Sequence, residues 1–593
     1  MSPEQAQGCH ELDERSDIFS FGCILFEAAA RRPPFDGPTP GDVLHKLKAE
    51  PAPNLTSVCP HAPASLARIV ARCLQKDPNL RYPSIDILER DLNELLDNLA
   101  APRRRPVSRR RWALSLAAAV LISLAGWFAF QRLRAPPPPL SVAVIPLVPA
   151  SAGQADTFLV DGLAEGLTHA LALVPDLKVI ARASSWAFRG ERIDARKAAR
   201  ALGAGALVLL SVTGSSGQLR ITVDLVGADG SQLWGEHFER GRDSLAVLES
   251  RLSQAIAERV GAKLSNQGRA RLARAATLNP EAYEFLLLGR YHMRLYNPES
   301  RLRAAAYYEK ALAIDPSFAL AHAELAAIYR LLGGSGMESA TGSLPKAEAS
   351  AQRALAIDPE LPEAHAVLAE IRRDQWNWSA AAREYRLTLA LNPNLASSHW
   401  SYAIFLGVRG RHQDAIAQAR QALELDPFGI PAIVNAGAVF YNARRFDEAV
   451  DTLKRALVVD PEAPSAWHWI GMSRAAQHRY QEALDAYSRA HASTQSSLAA
   501  RSYYCFSLAR SGRREEASRL LDSLRSSKGF APPSHLAIAY VGLDRHEEAL
   551  HSLQQALLDK DPLLQYLRVE PHYDAIAHHP GFLRIVQSVG LAE

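Results

Sequence analysis

Apolar positions recur along this chain at different periods, and each period marks a different architecture. In 64–76, Ala64, Leu66, Ile69, Val70, Cys73 and Leu74 recur at helical spacing, and Asp77-Pro78 stops the run. Ser84 is placed to cap a further helix, whose apolar stripe passes through Ile85, Ile87, Leu88, Leu92, Leu95 and Leu96. The run "WALSLAAAVLISLAGWFAF" (112–130) then has no polar face: nineteen residues without a charge, between Trp112 and Trp127 at its edges. At about 1.5 Å of rise per residue, a helix of that length just crosses a hydrocarbon core of ~30 Å.

Beyond it, "APPPPL" (135–140) is a stiff spacer, and "LSVAVIPLV" (140–148) reads as a strand. Helical periodicity returns over 156–174 through Phe158, Leu159, Leu163, Leu167 and Leu171. The segment 177–184 reads as a strand, and 194–203 as a helix ending at Gly203. "ALVLLSVTG", "QLRITVDLVG" and "QLWGEHFER" form an antiparallel meander joined at Ser-Ser-Gly and Asp-Gly-Ser, and a helix over 243–264 closes this small α/β domain.

From about residue 280 the pattern repeats. Prolines at 280, 316, 359, 393, 427 and 461 each follow Asn or Asp, and the last four are spaced by 34 residues. The step from 316 to 359 holds nine extra residues, around "LLGGSGMESATG". Small residues stand where paired helices must touch: Gly437, Ala449 and Ala456 in one copy, Gly471, Ala483 and Ala490 in the next, with Tyr487 filling the space between copies. A 34-residue period with a helix-ending Asp-Pro is that of tetratricopeptide repeats, an all-α superhelix. Degenerate copies continue through 503–521 and 536–557, and the residues from Asp561 to Leu591 resemble the capping tail of such arrays.

Composition sharpens this picture. With 593 residues, 48% hydrophobic and 22% charged, the chain is an ordinary folded multidomain protein, and a net charge of +4 gives no argument for nucleic acid. Six arginines crowd 103–111, against Arg132 and Arg134 after the apolar run, so the positive-inside bias puts the N-terminus in the cytoplasm and 135–593 outside it, in the periplasm. Cys9, Cys23, Cys59 and Cys73 precede the run and only Cys505 follows it, which agrees with a reducing compartment for the front.

Residues 1–99 resemble the C-terminal lobe of bacterial Hanks-type serine/threonine protein kinases. "MSPEQ", "LDERSDIFSFGCILFEAAARRPPFDG" (12–37) and "PHAPASLARIVARCLQKDPNLRYPSIDILERDL" (60–92) carry the resemblance. It implies an ion pair between Glu4 and Arg81 and a hydrogen-bonding role for Asp17 towards a catalytic loop. No Gly-x-Gly-x-x-Gly, His-Arg-Asp or Asp-Phe-Gly occurs in the chain, so as written it lacks the residues that hold ATP and Mg, and none is assigned as catalytic. ATP and Mg are expected only for a full-length kinase. Two origins are open, a misassigned Met1 or a decayed kinase, and the first is favoured because half a lobe exposes apolar faces. "VAVIPL", "LVDGLAEGLTHAL", "VIARASSWAFRG" and "QLWGEHFER" resemble the TolB-type amino-terminal domain, which implies a sensing or protein-binding module.

The expected domains are a partial kinase lobe (1–99), a basic juxtamembrane segment (100–111), a single transmembrane helix (112–130), a Pro-rich linker (131–139), the TolB-like domain (140–265) and the repeat array with its cap (270–593). On the concave side of the superhelix, first-helix positions Glu363, Glu370, Arg373, Trp400, Tyr441, His468 and Ser502 are the candidate contacts for a protein or peptide. No metal site is expected: His572, His578 and His579 lack a completing Cys or acidic pair. "SSW" (184–186) has only His237 nearby and no third group, so it is not read as a nucleophile. The function expected is a bacterial membrane-anchored signalling protein of the kinase family with an extracytoplasmic protein-binding array. The alternative is a non-enzymatic repeat scaffold tethered to the bilayer by a vestigial lobe.

Overall fold

The computed structural model describes residues 1–7, 13–100, 140–148, 154–190, 193–215, 218–241, 245–262, 264, 266–273, 277, 279–293, 298–334, 340–492, 498–526 and 532–591. The chain divides into two compact units, Met1–Ala135 and Pro136–Glu593.

In the first unit, Asp13 accepts the Arg15 amide and opens α1 (Glu14–Ala30). Ile18, Phe19, Gly22 and Phe26 form its buried face. The opposite face carries Phe21 and Ile24, 38% and 62% exposed. Helix Ala64–Cys73 ends where the apolar spacing stops, and Asp77 caps the short turn Pro78–Leu80. The helix Ile85–Ala100 buries Leu88 and Leu95 but leaves Leu96 61% exposed, so the stripe is narrower than its sequence suggests.

The second unit begins with a mixed sheet of order β2-β1-β3-β4-β5. Its strands are β1 (Leu140–Leu147), β2 (Leu177–Val179), β3 (Ala206–Ser215), β4 (Gln218–Gly227) and β5 (Gln232–Gly241). β1 runs parallel to both β2 and β3, whereas β3, β4 and β5 form an antiparallel meander. The expected strand over 177–184 is only three residues long, because the chain turns into the helical segment Arg182–Trp186. Two longer helices, α2 (Gln154–Ala172) and α3 (Leu245–Arg259), cover one face of the sheet.

Eight helical hairpins follow among the described residues, from Pro280–Met293 with Pro298–Ile314 to Pro533–Gly542 with His546–Leu558. Gly471 lies against Tyr487, where an added Cβ would fall 2.5 Å from the ring, which is why a small residue recurs at that position. The turns inside the last six hairpins each put one residue in the left-handed region: Trp376, Gly410, Arg444, His478 and Gly512, 34 residues apart, and Asp544 in the last. A Cβ at Gly410 would meet no heavy atom within 4 Å, so only the backbone penalty applies. Gly410→Ala is expected to lower stability by about 1 kcal/mol and His478→Gly to raise it by up to about that amount, read from denaturation midpoints.

The sheet and the array are not separate bodies. Apolar residues of the sheet, α2 and α3 join Tyr283, Leu286, Leu287 and Tyr308 of the first hairpin in one continuous core. The α/β module thus covers the apolar face that a terminal repeat otherwise leaves open. At the other end, the turns Pro562–Tyr566 and Pro571–Ile576 and the helix Pro580–Ser588 form the cap.

One expectation is corrected. Among the described residues no helix is long and apolar enough to cross a membrane, and the run 112–130, with 101–111 and 131–139, lies outside the described residues. The described helices are too short or too charged: apolar Ile430–Asn442 has 13 residues, about 20 Å, and the 19-residue α2 carries Asp156, Asp161 and Glu165. The fold class is therefore mostly helical, with a small mixed sheet and a tetratricopeptide-like superhelix. The single-pass topology, the bilayer as a partner and the periplasmic location drop out with the span.

Candidate functional site

In the N-terminal unit, Arg81 reaches Glu4 through two bonds, Nη1 to Oε1 at 2.6 Å and Nη2 to Oε2 at 2.8 Å. Its remaining donors go to the carbonyls of Gln75, Arg15 and Lys76 at 2.7, 2.8 and 3.0 Å, so the buried guanidinium is fully used. Burial works to raise the Glu4 pKa, but hydrogen bonds from Arg81 and Ser16 override it and hold it at about 2. Asp17 is exposed in the first turn of α1.

The first helices of the repeats place the seven groove candidates, and in each case another part of the unit already engages the side chain or encloses it. Tyr441 is fully buried and donates its hydroxyl to Glu570 of the cap at 2.5 Å. Tyr503 donates to the other Glu570 oxygen at 3.1 Å, and His572 Nδ1 lies 2.6 Å from the carboxylate. His468 stacks its edge against Tyr503, with ring centroids 5.4 Å apart, and Ser502 is fully buried. Arg373 is buried beside Asp374, at 3.1 Å. Glu370 accepts the Ser401 hydroxyl at 2.7 Å and pairs with Arg330 at 2.5 Å. Trp400 packs on the hydrophobic core.

Other bonds carry the cap across several repeats. The Trp378 indole donates to the Val589 carbonyl at 2.9 Å, Arg409 to the Gly590 carbonyl at 2.6 Å, and Arg444 pairs with Asp574 at 2.6 Å. Residues 562–591 therefore bind both the first helices and the turns of hairpins far upstream of them, and a ligand reaching the Tyr441 hydroxyl would first have to displace Glu570 of the cap.

The α/β module grips the turns between repeats. In four of these turns an Asx side chain accepts the amide two residues on: Asp315 from Ser317, Asp358 from Glu360, Asn392 from Asn394 and Asp460 from Glu462, at 3.0–3.1 Å. At Asp426 the module interrupts that bond. Ser184 donates to the carboxylate at 2.5 Å and accepts the Phe428 amide at 2.8 Å, while the Ala181 amide donates to the Leu425 carbonyl at 2.7 Å. This pull on 181–184 ends β2 early. Asn394 covers the edge of β2: its amide donates to the Leu177 carbonyl at 2.8 Å and accepts the Val179 amide at 3.3 Å. Neither contact was foreseen. The signal available in sequence was that Asn394 and Phe428 occupy a position where two of the other three turns carry Glu. His237, the residue near "SSW" in sequence, instead meets Thr222 of β4 at 3.0 Å.

Glu363 faces this junction, with His169 Nδ1 of α2 at 3.7 Å. Burial raises the Glu363 carboxyl to about 7, and burial with the nearby Arg290 lowers His169 to about 4. The two shifts oppose each other. The raised acid contributes stability that is complete below its unfolded value of 4.5 and is lost as pH rises through 7; the depressed base contributes stability that is complete above 6.5 and is lost as pH falls through 4. Across the overlap the contributions of these two groups nearly cancel. His169→Gln is expected to leave a loss on the order of 3 kcal/mol between pH 4.5 and 8, and Glu363→Gln a loss in the acid direction from pH 6.5, followed by urea midpoints. Among the described residues no group of three or more His, Cys, Asp or Glu is arranged to hold a metal ion.

Comparison with known proteins bears on both ends of the chain. Residues 1–92 match the model for protein tyrosine and serine/threonine kinases, and residues 366–430 and 434–497 match the model for the tetratricopeptide repeat. A putative adenylate cyclase of Rhizobium meliloti is 32% identical over 198 residues, covering 32% of this chain and 34% of that protein. A probable serine/threonine-protein kinase of Streptomyces coelicolor is 40% identical over 99 residues, 16% of this chain and 14% of that protein. The chain thus spans about a third of the length of the first of these relatives and about a seventh of the second. Among solved structures, the Pseudomonas aeruginosa pilF protein aligns over 34% of this chain and 92% of its own at 21% identity, with a TM-score of 0.28. The chain joins a kinase-like segment to a tetratricopeptide array.

Proposed function

We propose that this chain is a signalling protein of the bacterial serine/threonine kinase type in which the repeat array binds a protein partner. The observation that carries the reading is one chain holding both a kinase-like segment and a stack of 34-residue hairpins. Such stacks present long surfaces suited to extended protein segments. Phosphoryl transfer is not assigned to the residues present, since the motifs that position ATP and its metal do not occur in the sequence. The module at 140–265 is read as a sensing or adaptor element of the TolB type, and the support for this is its element order of βαβα followed by a three-stranded meander and a helix.

The test uses the whole chain with a photocrosslinking residue at Val458 on the array or at Ile24 on α1, both exposed. Specific adducts from Val458 and none from Ile24 are expected. Adducts from Ile24 alone would move partner binding to the kinase-like segment.

A further inference from the structure

The first helix of the fifth hairpin, Ile430–Asn442, has no open face at its end: every residue from Ala436 to Asn442, about two turns, is buried. A helix inside a stack of repeats packs on its hairpin partner and on its neighbours, and its remaining face lines the surface that such stacks offer to ligands. Here residues 562–591 cover that face. Glu570 takes the hydroxyls of Tyr441 in the fifth hairpin and Tyr503 in the seventh, and the His572 ring meets those of Phe506 and Tyr503 at 4.5 and 4.9 Å.

This contact is unlike those within the hairpins. Hairpin helices meet through small and apolar residues, Gly437 against Leu453 and Gly471 against Tyr487. The tail instead brings Glu570, His572 and Gln565 into the interface, 7%, 3% and 3% exposed. His572 Nε2 and Gln565 Oε1 are buried there without a hydrogen-bond partner among the described residues. Leu564, Leu567 and Phe582 favour the closed arrangement, since they share one apolar cluster with Phe440 and Phe506. The buried polar atoms oppose it, because water satisfies them once the tail lifts. Residues 562–591 follow the last helix of the array, so they can leave without unthreading a hairpin.

We propose that residues 562–591 are an intramolecular stand-in for the array's protein partner, which binds the first helices by displacing them with a segment that carries its own carboxylate between apolar side chains. The carboxylate is required because two tyrosine hydroxyls converge on one acceptor, and a lysine or arginine in its place would leave both without one. The apolar flanks are required by Phe440 and Phe506, which the tail now covers. The tail thereby holds the array closed and sets the affinity of any competitor. This inference rests on the reading of the array as a protein-binding surface.

The test has two arms, both on the whole chain. Hydrogen exchange of the unaltered protein should show the amides of 562–591 at least about tenfold less protected than those of Ile430–Asn442 and Leu498–Arg510, as when the tail opens alone. Equal protection of all three would mean that tail and array unfold together, and would overturn the proposal even if no variant folds. In the second arm a fluorescein-labelled peptide of residues 562–591 is titrated by anisotropy. It should bind the Glu570→Ala chain at least about tenfold more tightly than the unaltered chain, whose own tail competes better. The same peptide carrying Glu570→Ala should bind at least about tenfold more weakly, and Glu462→Gln in the chain, on an exposed turn, should change nothing. Equal affinity of the peptide for both chains would overturn displacement. The partner reading fails separately, by absence of adducts at Val458; a tail that opens and yields to the peptide supports the displacement whatever that result.

Discussion

Replacing Glu4 with alanine is expected to unfold the N-terminal unit at neutral pH. The Arg81 side chain is wholly shielded from solvent, and Glu4 is its only acidic partner among the described residues. Without that carboxylate a buried guanidinium keeps its three carbonyl contacts but loses its countercharge, at a cost of about 3–5 kcal/mol. That is a large share of the total stability of a small domain, about 5–15 kcal/mol. The readout is hydrogen exchange of the amides of α1, which Arg81 ties to the 75–81 turn through the Arg15 carbonyl. A double variant, Glu4→Ala with Arg81→Leu, should recover part of the loss because no unpaired charge remains. In the unaltered protein the contribution of Glu4 should be intact above pH 4.5 and disappear as pH falls towards 2. Unchanged exchange in α1 of Glu4→Ala would show that the pair does not hold the unit.

Glu570→Ala should release the cap. Burial acts to raise the Glu570 pKa, but His572 and the Tyr441 hydroxyl outweigh it, so the group is lowered and serves as an anionic acceptor. Its removal leaves the Tyr503 hydroxyl without its acceptor and the Tyr441 hydroxyl with only His572 Nδ1, at 3.1 Å, for a loss of about 1–3 kcal/mol. The Trp378 indole, which donates to the Val589 carbonyl, should then show a red-shifted emission, and amides over 562–591 should exchange faster. If only the immediate neighbours of residue 570 respond, the cap is held by its apolar contacts alone, through Leu564, Leu567, Phe582 and Val586.

The hairpins were legible because their information is local. Each 34-residue unit carries its own helix stop, its own left-handed turn and its own small residues at the crossing, so position along the chain maps onto position in the fold. The same locality explains what was missed. A first-helix position such as Tyr441 reads as groove-lining from its repeat alone, but its hydroxyl partner lies 129 residues later. The β2 strand reads longer than it is because Ala181 and Ser184 answer to Leu425 and Asp426, more than 240 residues away in both cases. No window of sequence contains both members of such a pair.

Apolar spacing and turn chemistry dictate that this chain contains a kinase-like helical segment, a five-stranded α/β module and a stack of helical hairpins, because each of those patterns is set by neighbours within one or two turns of backbone. Contact between distant segments dictates that the module plugs the first hairpin, that the tail lies on the inner helices, and that Ser184 and the edge of β2 bond to Asp426 and Asn394 of the array. Those outcomes rest on which apolar faces and unpaired polar groups find one another in space, and the spacing of residues along the chain is silent about that.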